Sequence, residues 1–317
     1  MRLRLIANPN ASGVTRPLVD AVARRLSEVA EIELRLTERS RHAIELAGEP
    51  EADVVVAMGG DGTVNEVVNG LLPDAAMAVV PAGATSVFAR QLGLPRRTLP
   101  AAGLVAQAIR SGSQRMVGLG LANDRLFTFS AGMGLEAEAT RVVDEERYTR
   151  FDGRRPGDLK VVAAAMRTLR NDGFALPERM TIELEGRSIR CGYLAVANQH
   201  PYTYFGRLPV RTAPQAGFET ALDAVVVGEL RSRDLWRLPV YGLVWPRHAR
   251  RGDRRVAYLH DVDAFDVTCD VPVPLQVDGE YLGMVERVAV RYRRDAVRVF
   301  TPAAVSAQGR ASAAAGT

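Results

Sequence analysis

Residues 54–70 read Val-Val-Val-Ala-Met-Gly-Gly-Asp-Gly-Thr-Val-Asn-Glu-Val-Val-Asn-Gly, an unbroken apolar run that passes through a glycine cluster into a helical pattern. The run has no polar face, so both faces must be covered, which is the condition of a strand inside a parallel sheet clothed by helices. Glycines let backbone amides approach an anion closely, and the helix behind them directs its positive end to the same place. Thr63 followed by Glu66 also spells a capping box, so a plain helix start accounts for part of the pattern. It does not account for Asp61. A carboxylate in a phosphate loop repels the ligand unless a divalent metal lies between them or the acid takes part in proton transfer. The loop fits neither GxxxxGK[ST] nor the three-glycine dinucleotide fingerprint.

The rest of the first third repeats the same rhythm. Apolar runs at Leu3–Ala7, Ile32–Leu36, Asp53–Met58 and Met77–Val80 predict strands. Between them, Leu18, Val22, Leu26 and Val29 at helical spacing, then Ala43–Ala47 and Val64–Leu72, predict helices. Ligands of such a sheet belong at the carboxyl ends of its strands. After about Ala122 strand patterns dominate, at Arg125–Ala131, Met180–Leu184, Ile189–Ala197, Leu222–Val227, Phe265–Cys269, Leu275–Val277 and Val285–Arg291. One helix is predicted over Leu159–Leu169 and a second, carrying Pro239, over Ser232–Val244. The fold class is therefore an α/β N-terminal domain, residues 1–122, with a parallel sheet and helices on both faces. An antiparallel β-sandwich-like domain follows over 123–305, and residues 306–317, rich in Ala, Ser and Gly, form a flexible tail.

With 317 residues the chain is long enough for two cores. Its net charge is +4, and Lys160 is its one lysine, so an anionic ligand falls to arginine, backbone amides or metal. No basic repeat with interleaved aromatics marks a nucleic-acid binder. The apolar stretch that begins at Leu3 ends at Asn8-Pro9, too short for a signal peptide, and no run reaches the roughly 20 apolar residues of a membrane span. A cytoplasmic protein is expected. Cys191 and Cys269 sit in strand-like runs as small buried hydrophobes, and the four histidines show no zinc spacing.

The loop and its surroundings resemble the diacylglycerol kinase catalytic-domain family, which includes bacterial lipid kinases and is related to sphingosine and ceramide kinases. Gly59-Gly60-Asp61-Gly62-Thr63 matches the family's GGDGT loop, and Val64-Asn65-Glu66-Val67-Val68-Asn69-Gly70 continues the match. So do Asn8-Pro9-x-x-Ser12-Gly13, Pro81-x-Gly83, Phe88-Ala89-Arg90-x-Leu92-Gly93 and Val277-Asp278-Gly279-Glu280, all in the family's order. The resemblance implies ATP and Mg2+ as cofactors, a lipid-substrate domain in the second half and an active site between the two domains. Nucleotide contacts are implied for Asn8, Thr37, Gly59, Gly60, Asp61, Gly62, Thr63, Asn65, Glu66, Gly83, Thr85 and Ser86. Glu280 is implied as the acceptor of the hydroxyl proton, with Asp61 beside it in catalysis and Asp278 as the fallback base. Glu136 and Arg90 are implied on the substrate side, and Asp61 and Glu219 at metal.

This chain departs from the family pattern in places. Ser86 and Val87 stand where the family has Asn-Asp, and the hydroxyl of Thr85 or Ser86 either reaches a phosphate or caps the helix that opens at Val87. Thr220 replaces the glycine beside Glu219. Asp278-Gly279 between apolar runs is also a hairpin signal in its own right.

The expected function is an ATP-dependent lipid kinase, acting on a diacylglycerol-like or sphingoid-like hydroxyl in phospholipid metabolism. An NAD kinase-like enzyme or a catalytically weak lipid-binding protein are the alternatives. Tyr202, Tyr204, Phe205 and Leu208 suit an acyl chain or a core equally. The expected partner is the lipid at the inner face of the membrane, met peripherally, with room for a homodimer and no nucleic acid. Trp236, Tyr241 and Trp245 among Arg231, Arg233, Arg237, Arg247, Arg250, Arg251, Arg254 and Arg255 form the candidate membrane-surface segment, or else a core helix followed by a solvated loop.

Overall fold

A computed structural model describes residues 1–150, 158–171, 173, 175–205, 208–229 and 255–303. The chain forms two compact units, Met1–Gly118 together with the residues from Arg294 onward, and Leu119–Arg293. The sequence pattern placed the change of rhythm near Ala122 and kept the last strand with the second half. The structure returns that strand's final residues to the first unit.

In the first unit β1 (Arg2–Ala7), α1 (Arg16–Ser27), β2 (Glu31–Leu36), α2 (His42–Gly48), β3 (Val54–Gly59), α3 (Asp61–Gly70) and β4 (Ala76–Pro81) follow one another. After them come α4 (Val87–Gln91), α5 (Thr98–Ser111) and β5 (Gln114–Ala122), which leads out of the unit. The strands are parallel in the order β2-β1-β3-β4, and Val299, near the end of the chain's last strand, pairs in parallel with Met77 of β4. Every residue of β3 and of β4 is buried, as an all-apolar strand covered on both faces must be. The helices supply the cover: Val19, Val22 and Leu26 of α1 and Val64, Val67 and Val68 of α3 face inward.

One charge lies inside this sheet. Arg4 of β1 is 4% exposed, and its guanidinium donates to Glu33 at 2.8 Å and to the carbonyls of Leu46, Glu49 and Pro50 at 3.1, 2.7 and 3.1 Å. It satisfies the carbonyls at the end of α2 while keeping an ionic partner, the condition for tolerating a buried cation.

The second unit is largely antiparallel: β6 (Arg125–Phe127), β7 (Ser130–Met133), β8 (Met180–Leu184), β9 (Arg187–Cys191), β10 (Tyr193–Ala197), β11 (Thr203–Phe205), β12 (Leu208–Val210), β13 (Leu222–Val227), β14 (Val256–Val262), β15 (Ala264–Val277) and β16 (Glu280–Phe300). Two helices, α6 (Leu135–Arg150) and α7 (Asp158–Asn171), interrupt it. The sequence pattern predicted α7 but not α6, whose charged face hides its period. Leu194 and Val196 of β10, with Leu222, Ala224 and Val226 of β13, face one apolar cluster shared with β8 and β15. The alternate residues Ala195, Ala197, Val225 and Val227 face a second cluster with Tyr202 and Leu176. Both faces of these central strands are covered, which explains their lack of polar alternation. Tyr202 thus belongs to the core, whereas Leu208 is exposed.

Cys191 is buried and both cysteines are free thiols, and burial pushes them up to about 12 and about 11, so neither is poised as a nucleophile. Among the described residues no helix is long and apolar enough to cross a membrane. The predicted helix over Ser232–Val244, the tryptophan and arginine segment, apart from Arg255, and the 306–317 tail lie outside the described residues.

Gly70 closes both α3 and the long motif, and its role is packing. A Cβ there would overlap the carbonyl of Ile44 in α2, which is backbone and cannot swing aside. Gly70→Ala is expected to lower stability by about 1–3 kcal/mol in thermal or denaturant unfolding. An unchanged midpoint would show that α2 and α3 are not in this contact.

Candidate active-site residues

The glycine turn is built where β3 becomes α3. Gly59 ends the strand, Gly60 is the N-cap with φ −90°, and Asp61 starts the helix with no side chain capping it. The turn lies against the loop after β4, because a Cβ on Gly83 would stand 2.5 Å from the Cα of Gly60. Only a glycine at position 83 allows that approach. Gly62 is exposed on the first turn, and a Cβ added there would meet no atom within 4 Å. A glycine N-cap followed by an open glycine, at the carboxyl end of a parallel strand, forms a cradle that fits a phosphate group.

Asn8 and Thr37 end neighbouring strands of the same sheet. Asn8 continues the pairing of β1 through its amide to Met58 at 3.0 Å, and its side-chain amide donates to the Thr63 hydroxyl at 3.2 Å. Thr37 is buried, with its amide on the carbonyl of Ala7 at 3.0 Å. Asn65 is 1% exposed and accepts from the side chain of Asn69 one turn on, at 3.2 Å, so it faces the helix's own neighbours.

The acids of the motif hold backbone. Asp61 accepts from the amide of Phe88 at 3.2 Å, in the first turn of α4. Ser86, the N-cap of α4, has φ 47° and gives no side-chain cap; its hydroxyl donates back to Gly83 at 3.3 Å. The capping role weighed for Ser86 therefore falls to Asp61. Thr85 is half-buried, Val87 is core, and Arg90 lies half-buried in the last turn of α4. The Thr63 and Glu66 capping box is not formed either, because the N-cap of α3 is Gly60, three residues before Thr63. Glu66 instead accepts the amides of Arg41 and Ala43 at 3.0 and 3.1 Å, capping α2, whose N-cap Arg41 is left-handed with φ 63°.

In the second unit the Asp-Gly hairpin forms as its sequence predicts. Val277 pairs with Glu280, and Asp278 and Gly279 have φ 48° and 77°, as a two-residue turn of the primed type requires. Asp278 is 3% exposed. Its carboxylate accepts from the amides of Thr128, Phe129 and Ser130 at 2.7, 3.0 and 3.0 Å and from the Thr128 hydroxyl at 2.9 Å. A carboxylate so held is an anchor, which removes Asp278 as the fallback base. Glu280 is one-third exposed and pairs with the largely buried Arg125 at 3.1 Å.

Glu136, in the first turn of α6, is half-buried and ringed by donors. Tyr193 and Tyr202 give it their hydroxyls at 2.9 Å, and the Gln276 side-chain amide reaches its other oxygen at 3.1 Å. Withdrawal from water raises its pKa, with the two tyrosine hydroxyls pulling the other way. Both tyrosines are raised well above their usual range by burial and by the neighbouring Glu136 charge. Sequence reasoning missed Tyr193, Gln276 and Arg125. The one available signal is that a buried tyrosine hydroxyl needs a partner.

Among the described residues no three His, Cys, Asp or Glu side chains gather as a metal cage. Magnesium usually takes one or two carboxylates together with phosphate oxygens, so Asp61 at the mouth of the phosphate cradle fits that ion without a cage. Glu219 is exposed in the loop before β13 and joins no such group among the described residues.

The model of the diacylglycerol kinase catalytic domain matches residues 2–122. A diacylglycerol kinase of Bacillus subtilis is 28% identical over 250 residues, which are 77% of this chain and 76% of that one. The crystal structure of a diacylglycerol kinase from Bacillus anthracis superposes with TM-score 0.70 at 19% identity, covering 96% of this chain and 98% of the other. An NAD kinase from Archaeoglobus fulgidus in complex with ATP shares the fold more distantly, with TM-score 0.51 at 12% identity over 96% and 95% of the chains. The match over residues 2–122, and an alignment with the Bacillus subtilis enzyme that runs well past them, make this chain similar to the diacylglycerol kinases and support a kinase.

Proposed function

We propose that this kinase phosphorylates the hydroxyl of a diacylglycerol-like or sphingoid-like lipid with ATP and Mg2+. The observation that carries the reading is the glycine N-cap of α3 beside the open Gly62, in a chain similar to a diacylglycerol kinase of Bacillus subtilis. Bound there, Mg·ATP supplies the phosphoryl group.

The chain's own residues bind, hold and accept. The amides from Gly60 to Thr63 hold phosphate oxygens, and Asn8 and Thr37 line the strand ends beside them. Asp61, at the mouth of the cradle, serves the metal. Glu280 takes the proton of the acceptor hydroxyl, and Arg125 holds its carboxylate in one place until the acceptor arrives. The acceptor is met at the membrane surface, through the tryptophans and arginines of residues 231–255.

Radiolabel transfer from γ-labelled ATP in the presence of Mg2+ tests the reading against a panel of diacylglycerol, sphingosine and NAD. Label in a lipid is expected. Label in NADP would replace the lipid reading with the NAD kinase-like one, and binding of lipid with no transfer would leave a catalytically weak binder.

Two substitutions test the assigned roles. Asp61→Asn keeps an acceptor for the Phe88 amide and is expected to abolish transfer with an unchanged melting temperature. Asp61→Ala removes the cap as well and is expected to lose a further ~1 kcal/mol of stability. Near-wild-type turnover in Asp61→Asn would remove Asp61 from the chemistry. Glu280→Gln is expected to hold Mg·ATP affinity within a few-fold and lower kcat by about 10² or more. Full activity would reduce the hairpin to a structural turn.

A further inference from the structure

Glu136 falls where a contact to the acceptor lipid is expected, yet its carboxylate is already engaged by three protein side chains. One oxygen accepts from both Tyr193 and Tyr202 at 2.9 Å. The other accepts from Gln276 at 3.1 Å and from Tyr202 at 3.0 Å. Gln276 is 1% exposed and uses its remaining polar atom, Oε1, to accept from the Gly279 amide at 2.8 Å. Gly279 immediately precedes Glu280.

The hairpin tip is thus tied at two points. Asp278 fastens one side to the amides of residues 128–130. On the other side the chain runs from the tyrosine hydroxyls through Glu136 and Gln276 to the Gly279 amide. The direction of every bond in that chain is set by Glu136. Because a glutamate accepts at both oxygens, Gln276 must point its amide nitrogen at Glu136, which leaves its oxygen for Gly279. An amide at position 136 that keeps its oxygen on the two tyrosine hydroxyls presents its nitrogen to Gln276, turns that side chain over and strands the Gly279 amide.

We propose that Glu136 is a positioning residue that acts on Glu280 through Gln276 and Gly279, and not a contact to the acceptor lipid. Tyr193 and Tyr202 orient it. The inference rests on the reading of Glu280 as the proton acceptor, whose distance from the hydroxyl governs the rate.

The test is a double-mutant cycle with a reciprocal swap. Glu136→Gln is expected to lower kcat roughly tenfold to a hundredfold, as a displaced catalytic group does, with an unchanged KM for the lipid. Adding Gln276→Glu restores an acceptor for both the new amide and Gly279, and is expected to recover activity to within a few-fold of wild type. In a Glu280→Gln background Glu136→Gln should cost nothing further. Amide hydrogen exchange at Gly279 reads the same chain without catalysis: it should accelerate in Glu136→Gln and slow again in the swapped pair. A raised lipid KM at constant kcat, an undiminished loss in the Glu280→Gln background, or a swap that fails to restore Gly279 protection would overturn the inference. Wild-type turnover in Glu280→Gln alone would instead overturn the role of Glu280, while the exchange measurement would still decide whether Glu136 controls the hairpin.

Discussion

The first unit depends on a backbone meeting that only glycine permits. Gly60 and Gly83 bring the turns after β3 and β4 together with no side chain between them, and any Cβ on Gly83 would collide with Gly60. Because these turns close the two most buried strands of the sheet, their separation is fixed by the β3 and β4 pairing from Val54 opposite Ala76 to Gly59 opposite Pro81. The first turn of α3 therefore arrives at the same place each time the sheet forms, with a glycine at its N-cap and the open Gly62 beside it. A phosphate site of this kind is a property of rigid backbone, and it needs few side chains to define it.

That economy frees the acidic residues of the motifs for a second task. Asp61 reaches the first turn of α4, Glu66 caps α2, and Asp278 collects four donors from residues 128–130. Each of these carboxylates neutralises amides that would otherwise lie unsatisfied near the ends of short elements, where an unpaired buried donor costs about 1–3 kcal/mol. Asp61 and Glu280 differ from the others in having a role left over. Asp61 stands at the phosphate cradle, and Glu280 is partly exposed beside Arg125.

The parallel sheet was legible because its central strands β3 and β4 are continuous apolar runs, and the hairpin at Asp278-Gly279 because its turn type demands those residues. The long helix α6 was not, since its first turn carries Glu136 and Glu138 and its apolar period is weak. The glycine loop could be read locally as a phosphate cradle, whereas the partners of its acids could not. Phe88 is 27 residues from Asp61 and Arg41 is 25 from Glu66, so the short capping box that the sequence spells at Thr63 and Glu66 gave way to a tertiary one. The Glu136 network was hidden for the same reason, its members lying 57, 66 and 140 residues from the carboxylate. Chemistry held within a single turn shows in sequence; hydrogen-bond direction across a sheet does not.

The cradle itself is tested most directly at Gly62, by measuring Mg·ATP affinity and melting temperature of Gly62→Ala side by side. Alanine meets no atom there and favours a helix over glycine by about 0.8–1.0 kcal/mol, so the melting temperature should hold or rise. The new methyl occupies the space a phosphate needs, and Mg·ATP affinity should fall by about tenfold or more, the equivalent of about 1.4 kcal/mol. Wild-type affinity in a stably folded Gly62→Ala would contradict the placement of the phosphates at this turn.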